Sequence, residues 1–370
     1  MALEKQQITN LQPYKVASHK IWDVSPEERS NILKLDWNEA TIPPSPLVHK
    51  RIMELLEHPN FYQFYPATHS DELHEKLSSY ARVQKENLQY FPSSDSLHEY
   101  ISTAFLGVND TVLLLGPTYD NFRLTCEARG AKTEYFNYSQ VFEFDKDAFE
   151  NKIAELNPNL VYICNPNNPT GNIIPVNSIE GFIQKFPQTM FLIDEAYFEF
   201  SGETAKDLVL NYDNLLVTRT LSKAFALANF RIGYLISSKT NIDNISKVRN
   251  PKNFTTFSQE ATIAALSDVA YTMNYVEEVK LSRARFYDFL IQLDKGIKPI
   301  RSEGNFMLMQ FKSEEIKSKF IAFMENNNIF LRNLTHSPLL LNCLRITIGT
   351  KDQMNFVSDR IIEFFKTVGE

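Results

Sequence analysis

Lys223 stands in the stretch TRTLSKAFALANFR, with Thr220 and Ser222 just before it and Arg231 eight residues after it. A lysine set among apolar side chains has a lowered pKa and can form a Schiff base with an aldehyde. Hydroxyls and a guanidinium close by suit a phosphate monoester. Together they fit an aldehyde cofactor that carries a phosphate, and pyridoxal 5′-phosphate is that cofactor. A loop lysine alone is usually only a solvated lysine, so the other signals decide. Asp194 ends the apolar run of LIDEAYFEF (192–200), where an acid can keep a pyridine nitrogen protonated and make the ring an electron sink. Tyr197, three residues on, is placed to bond the ring hydroxyl. The plainer reading of Asp194 is a helix cap. The segment NPNNPTGN (165–172) is a rigid turn in which an asparagine amide could donate to the ring oxygen, or which serves only as a turn.

The elements that must carry these residues follow from periodicity. Short apolar runs recur at 111–115, 133–136, 160–164, 190–193, 214–218 and 233–237. Helical patterns separate several of them, at 119–129, 146–155 and 176–186. Such alternation predicts βαβ units and a mostly parallel sheet, which binds ligands beyond the carboxyl ends of its strands. Ahead of it, helices are predicted near 46–56 and over 71–83. A long helical stretch is predicted over 257–293. Beyond it the pattern is α+β: strands at 305–311, 329–332 and 343–348, with helices near 313–327 and 352–366. Proline at 13, 43, 44 and 46 marks the first 45 residues as an extended arm. The expected division is an arm (1–45) packing on the small domain or a partner subunit, a large domain (46–256), linking helices (257–293) and a small C-terminal domain (294–370).

Composition excludes several other classes. The net charge of −7 argues against a nucleic-acid footprint. No apolar run approaches the length of a membrane span, and MALEKQQITN lacks the apolar core of a signal peptide. Three scattered cysteines, Cys126, Cys164 and Cys343, form neither a disulfide framework nor a metal cluster, so a cytoplasmic location is expected and no metal. With 11 glycines, neither GxGxxG nor GxxxxGK[ST] occurs, which argues against dinucleotide and P-loop sites.

The order of NPNNPTG, DEAY and SKAFALANFR resembles fold-type I pyridoxal-phosphate enzymes, and the match is close to the histidinol-phosphate-aminotransferase-like branch of class I/II aminotransferases. KLDWNEATIPPSP, FYQFYPATHSDELHEKL, GPTYDNF, GNF and LRITIG are similar to further motifs of that branch, so the likeness covers nearly the whole chain. It implies a PLP-dependent transferase fold of type I: an α/β large domain with a mostly parallel sheet flanked by helices, plus a small α+β domain.

The resemblance also implies roles. Lys223 matches the lysine that holds the cofactor and moves the substrate proton, Asp194 the partner of the pyridine nitrogen, and Asn168 and Tyr197 the groups on the ring oxygen. Thr220, Ser222 and Arg231 match phosphate ligands, and Tyr119 the ring stacked on the cofactor. FPSSDSLHEY aligns with a phosphate cup at a helix N-terminus, where Ser94, Asp95 and Ser96 fit, although Ser93 replaces a usual glycine. Tyr65 matches a tyrosine that reaches the neighbouring subunit's cofactor, which implies a homodimer with shared active sites. Arg345 matches the arginine that binds the donor's α-carboxylate. Arg332 sits where the branch often has a second arginine and is expected near the substrate's distal group, or else solvated at a strand end. Asn38 and Glu39 are expected at the entrance to the site. Ala228-Asn229-Phe230, Asp36-Trp37 and the apolar stretch 333–342 depart from the branch pattern and are expected to reshape the substrate side.

The function implied is a PLP-dependent aminotransferase, with glutamate as donor and a carbonyl acceptor, which a phosphate would suit. The alternative is a PLP-dependent decarboxylase of an O-phospho amino acid, because sequence does not fix which bond at the α-carbon is broken. A cofactor-sensing regulator is a third reading, disfavoured by the acidic charge and the lack of a helix-turn-helix pattern. Partners are expected to be small molecules, with no nucleic acid and no membrane.

Overall fold

The computed structural model describes residues 5–9, 11–13, 20–140, 142–335 and 337–367. Part of the expected arm, including residues 14–19, lies outside them. Twelve strands form two sheets among the described residues. The larger has seven strands: β2 (Leu88–Phe91), β3 (Thr111–Gly116), β4 (Lys132–Asn137), β5 (Leu160–Cys164), β6 (Met190–Asp194), β7 (Leu215–Thr220) and β8 (Gly233–Ser237), in the order β2-β8-β7-β6-β5-β3-β4. Strands β3 to β7 pair in parallel, while β8 runs antiparallel to both of its neighbours. Strands β5, β7 and β8 are buried along their whole length. Both their faces are covered, so they read as continuous apolar runs rather than as alternation.

The second sheet has the order β1-β11-β12-β10-β9. It is built from β1 (Leu33–Leu35), β9 (Ile297–Ile300), β10 (Phe306–Phe311), β11 (Ile329–Asn333) and β12 (Cys343–Thr347). β1 comes from the N-terminal segment and lies parallel to β11. The long helical stretch is two helices, Thr256–Leu266 and Val269–Leu293. The break falls at Ser267-Asp268, where Ser45 Oγ donates to Asp268 Oδ2 at 2.6 Å. No glycine or proline marks it, so the pattern alone joined the two. The apolar stretch 333–342 is corrected by the structure. Leu334 and Leu340 sit with Phe142, Ile300, Leu308 and Cys343 in a small separate core. Among the described residues, no helix is long and apolar enough to cross a membrane.

The two sheets meet at the 165–172 turn. The Glu303 N–H donates to the Gly171 carbonyl at 2.8 Å. Gly171 has φ +81°, and a Cβ there would lie 2.7 Å from Ser302 Cα. Both the left-handed backbone and the close approach require glycine. Gly171→Ala is therefore expected to destabilise the protein by roughly 2 kcal/mol or more, read as a lowered thermal midpoint. An unchanged midpoint would show that the turn can move aside.

Candidate active site

The parallel register brings three strand ends level. Cys164 on β5 pairs with Asp194 on β6, and Asp194 with Thr218 on β7. The loops that leave these ends converge on one cavity of about 460 Å³. It is lined by Lys223, Asp194, Tyr197, Asn168, Arg231 and Arg345, together with Ser94, Asp95, Tyr119, Thr220, Ser222 and Arg332. These side chains come from both sheets and from positions up to 251 residues apart.

Lys223 Nζ donates to the Trp37 carbonyl at 3.0 Å and lies 5.8 Å from the centre of the Tyr197 ring. Burial pushes its pKa down to about 8, with Glu39 opposing and Arg345 adding to the shift. A lysine so placed is a nucleophile near neutral pH. Asp194 is buried, which pushes its carboxyl pKa up, while His98 and Tyr162 pull it back. Its Oδ2 accepts the Tyr162 hydroxyl at 2.9 Å and its Oδ1 the Ala196 N–H at 3.2 Å. Those donors stabilise the ionised form in a site that otherwise disfavours it.

At the far side, Asn168 Oδ1 accepts from Arg345 Nη1 at 2.5 Å, and Arg345 Nη2 donates to the Asp36 carbonyl at 2.6 Å. The guanidinium is thus fixed before any carboxylate arrives, and the Asn168 amide N–H remains a donor. Tyr197 is buried, and its hydroxyl, with pKa raised chiefly by that burial, accepts from Asn38 Nδ2 at 3.1 Å.

An anion site occupies the near end. The helix Ser94–Phe105 begins there, capped by Ser93 Oγ on the Ser96 N–H at 3.1 Å. The first N–H groups of a helix have no intrahelical acceptor, so those of Ser94 and Asp95 are free to face an anion. Ser93 has φ +89° and ψ 159°, a region almost exclusive to glycine. Gly233 on β8 packs against it, so that a Cβ at Gly233 would lie 2.4 Å from the Ser94 nitrogen. Opposite, Thr220 Oγ1 accepts the Ser222 N–H at 3.1 Å and lies 2.9 Å from Ser222 Oγ. Arg231 Nη2 pairs with Asp95 Oδ2 at 3.0 Å, and Tyr119 and Asn121 donate to Asp95 Oδ1.

Two expected positions fall elsewhere. Ser96 does not line the cavity, because its backbone N–H is taken by the cap. Asn38, at φ +57°, is wholly buried behind Tyr197 and accepts from Thr347 Oγ1 at 3.3 Å. It orients Tyr197 rather than meeting substrate at the entrance. Tyr65, expected to reach a neighbouring subunit, is 79% exposed beneath Lys252 and does not line this cavity.

Other lining residues were missed. Trp22 and Cys164 face the cavity, and Tyr162 and His98 back Asp194. Tyr162 was legible in principle: it lies two residues before the end of β5, on the same face as Cys164. Trp22 carried no periodic signal.

The donor set fits pyridoxal phosphate. A helix N-terminus, two hydroxyls and an arginine sit at one end, a buried carboxylate lies across from a lysine with lowered pKa, and the volume suits a cofactor with a small substrate.

Comparison with known proteins agrees. The model of the aminotransferase class I and II family matches residues 30–361. A dihydroxyacetone phosphate transaminase from Campylobacter jejuni is 45% identical over 98% of this chain and 97% of its own. A histidinol-phosphate aminotransferase from Ruminiclostridium cellulolyticum is 33% identical over 95% and 93%. The crystal structure of histidinol-phosphate aminotransferase from Sinorhizobium meliloti with pyridoxal-5′-phosphate superposes with a TM-score of 0.85 at 23% identity, over 100% of this chain and 99% of that one. An L-threonine-O-3-phosphate decarboxylase from Porphyromonas gingivalis shares the fold, with a TM-score of 0.77 at 20% identity, over 90% and 100%.

Proposed function

The chain belongs to the class I and II aminotransferases and is a pyridoxal-phosphate-dependent enzyme, and on that premise we propose that it moves an amino group from glutamate to a small phosphorylated carbonyl acceptor, with dihydroxyacetone phosphate first among candidates. The observation that carries the choice of acceptor is a pair of arginines. Arg332 on β11 lies directly opposite Arg345 on β12, and both line the cavity. Like charges in direct cross-strand register repel, so the pair favours anionic ligands, a carboxylate on the donor and a phosphate on the acceptor. Arg345 is already held by Asn168 and Asp36, whereas Arg332 has no ion pair among the described residues.

When bound, pyridoxal phosphate supplies an electron sink for the charge left at the donor's α-carbon. Arg345 holds the donor carboxylate in a bidentate grip. Lys223 Nζ takes the α-proton and returns a proton later in the cycle. Asp194 keeps a positive charge balanced at the pyridine end. Tyr197 and Asn168 would offer donors at the ring oxygen, and the backbone N–H groups of Ser94 and Asp95 with Thr220, Ser222 and Arg231 would hold the phosphate. Arg332 then receives the acceptor's phosphate.

The test is an assay with glutamate and a panel of acceptors, reading 2-oxoglutarate. Dihydroxyacetone phosphate is expected to be used, and Arg332→Gln to raise its KM by roughly 10- to 100-fold, as lost charged hydrogen bonds do. Efficient use of unphosphorylated keto acids alone, unchanged in Arg332→Gln, would reject this acceptor.

The same reading includes a homodimer in the cytoplasm. Tyr62, Phe64 and Tyr65 are exposed together, beside exposed Leu47, Met53 and Leu56 on the helix Pro46–Leu56, which supports a covered face. Tyr65→Ala is expected to weaken cofactor binding although Tyr65 lies outside its own subunit's cavity, and unchanged affinity would remove Tyr65 from the shared site. Three free, buried cysteines support a reducing compartment. The seven-stranded sheet, within 88–237, and the five-stranded sheet, mostly within 297–347, support large and small domains near the expected boundaries.

A further inference from the structure

His98 is wholly buried on the helix Ser94–Phe105, one turn after Asp95. Its ring is held edge-on by Phe122 at 5.3 Å and Tyr162 at 5.9 Å, and those two rings stack on each other at 4.9 Å. Nε2 faces Asp194 Oδ2 at 3.8 Å and Thr218 Oγ1 at 3.5 Å. Nδ1 is buried and has no hydrogen-bond partner among the described residues.

A buried N–H without an acceptor is costlier than a bare ring nitrogen, whose lone pair loses only a donor. The proton therefore belongs on Nε2, facing the carboxylate, and a doubly protonated ring would strand an N–H at Nδ1. The titratable groups facing the ring are Tyr162 from β5 and Asp194 from β6; Thr218 from β7 and Phe122 complete the enclosure.

We propose that His98 is a positioning residue for the reaction: its Nε2–H, aimed at Asp194 Oδ2 from 3.8 Å, adds a favourable dipole beside the hydrogen bond from the Tyr162 hydroxyl and so favours the ionised, fixed carboxylate that grips the cofactor's pyridine nitrogen. Tyr162 bonds that oxygen from β5 and His98 faces it from the helix, so rotation of Asp194 would lose the Tyr162 hydrogen bond and the contact with the imidazole together. Among the described residues Oδ1 accepts the Ala196 N–H alone, which leaves it as the more available face. The proposal rests on the role given to Asp194 above.

The experiment compares His98→Leu, His98→Gln and Asp194→Asn in the full-length protein. Equilibrium affinity of the cofactor-free protein for pyridoxal phosphate is read by titration, alongside the pH titration of the bound cofactor's visible band and thermal melting. Glutamine carries an N–H near the position of Nε2; leucine fills the space without one. His98→Leu is expected to weaken cofactor affinity by about tenfold and to shift the band's titration, with His98→Gln close to the parent protein in both. Equal affinities and spectra for the parent and His98→Leu, with Asp194→Asn impaired, would overturn the proposal and leave the role of Asp194 intact. If Asp194→Asn also matched the parent, the role of Asp194 itself would fall, and the proposal with it. Equal impairment of His98→Leu and His98→Gln would reduce His98 to core packing and overturn the proposal as well.

Discussion

Lys223→Ala is expected to lose turnover by roughly 10⁴-fold or more, because in the proposed mechanism one side chain both holds the cofactor and moves the proton, and such units fail together. The fold should survive, since among the described residues the lysine side chain makes one hydrogen bond, to the Trp37 carbonyl. A melting curve near that of the parent separates loss of chemistry from loss of structure. Full activity in this variant would remove Lys223 from the mechanism. The pH dependence is a companion readout. Only the neutral amine attacks an aldehyde, so capture of pyridoxal phosphate by the cofactor-free protein should speed up as pH rises and level off above about 8, the value to which burial lowers Lys223. An unperturbed lysine, with a pKa of about 10.4, would still be gaining rate well above that pH.

Asp194→Asn is expected to lower kcat by roughly 10²- to 10³-fold, the usual effect of deleting one preorganised charge aimed at the reacting group. Asparagine keeps the shape of the side chain, but its single carbonyl oxygen can accept only one of the two bonds that Tyr162 and Ala196 now give to separate oxygens, and it cannot balance a cation. Stability should move the other way. Asp194 is buried and its carboxyl pKa is raised by that burial, so a neutral residue relieves a desolvation penalty. Lower kcat with an equal or higher melting temperature is the expected pair of results. A variant with full kcat would show that no carboxylate is needed at the pyridine end. Active sites often hold such charges at the expense of stability.

Much of this site was legible before the structure. Strand β5 reads LVYIC and β6 reads MFLID, continuous apolar runs that a sheet covered on both faces requires, and the polar residues that end them fall at ligand-facing strand ends. Thr220, Ser222, Lys223 and Arg231 were legible because one short loop carries them all. Ser93 is a partial case: the sequence marked it as a departure from glycine, and the structure shows why it matters, at φ +89° against Gly233.

What was not legible depends on contacts between distant segments. Asn38 and Tyr197 are 159 positions apart, and only the fold shows that one donates to the other. The facing of Arg332 and Arg345 is a matter of register, which the strands do not announce singly. The stretch 333–342 was misread because apolar residues near a site can fill a neighbouring core as readily as a pocket, and Leu334 and Leu340 do so. Strand β2 is four residues long and β1 three, too short for alternation to register. His98 lacks a local signal altogether, since its meaning comes from Asp194 across the helix–sheet interface.

The most direct measurement is the absorbance spectrum of the purified protein loaded with pyridoxal phosphate, recorded before and after adding L-glutamate without an acceptor, with 2-oxoglutarate assayed in the same sample. An aminotransferase that uses glutamate will lose the visible band of the lysine-bound cofactor and release 2-oxoglutarate in proportion to the enzyme present. A protein that binds no pyridoxal phosphate, or that leaves glutamate untouched while releasing carbon dioxide from phosphoserine or phosphothreonine, would contradict the assignment.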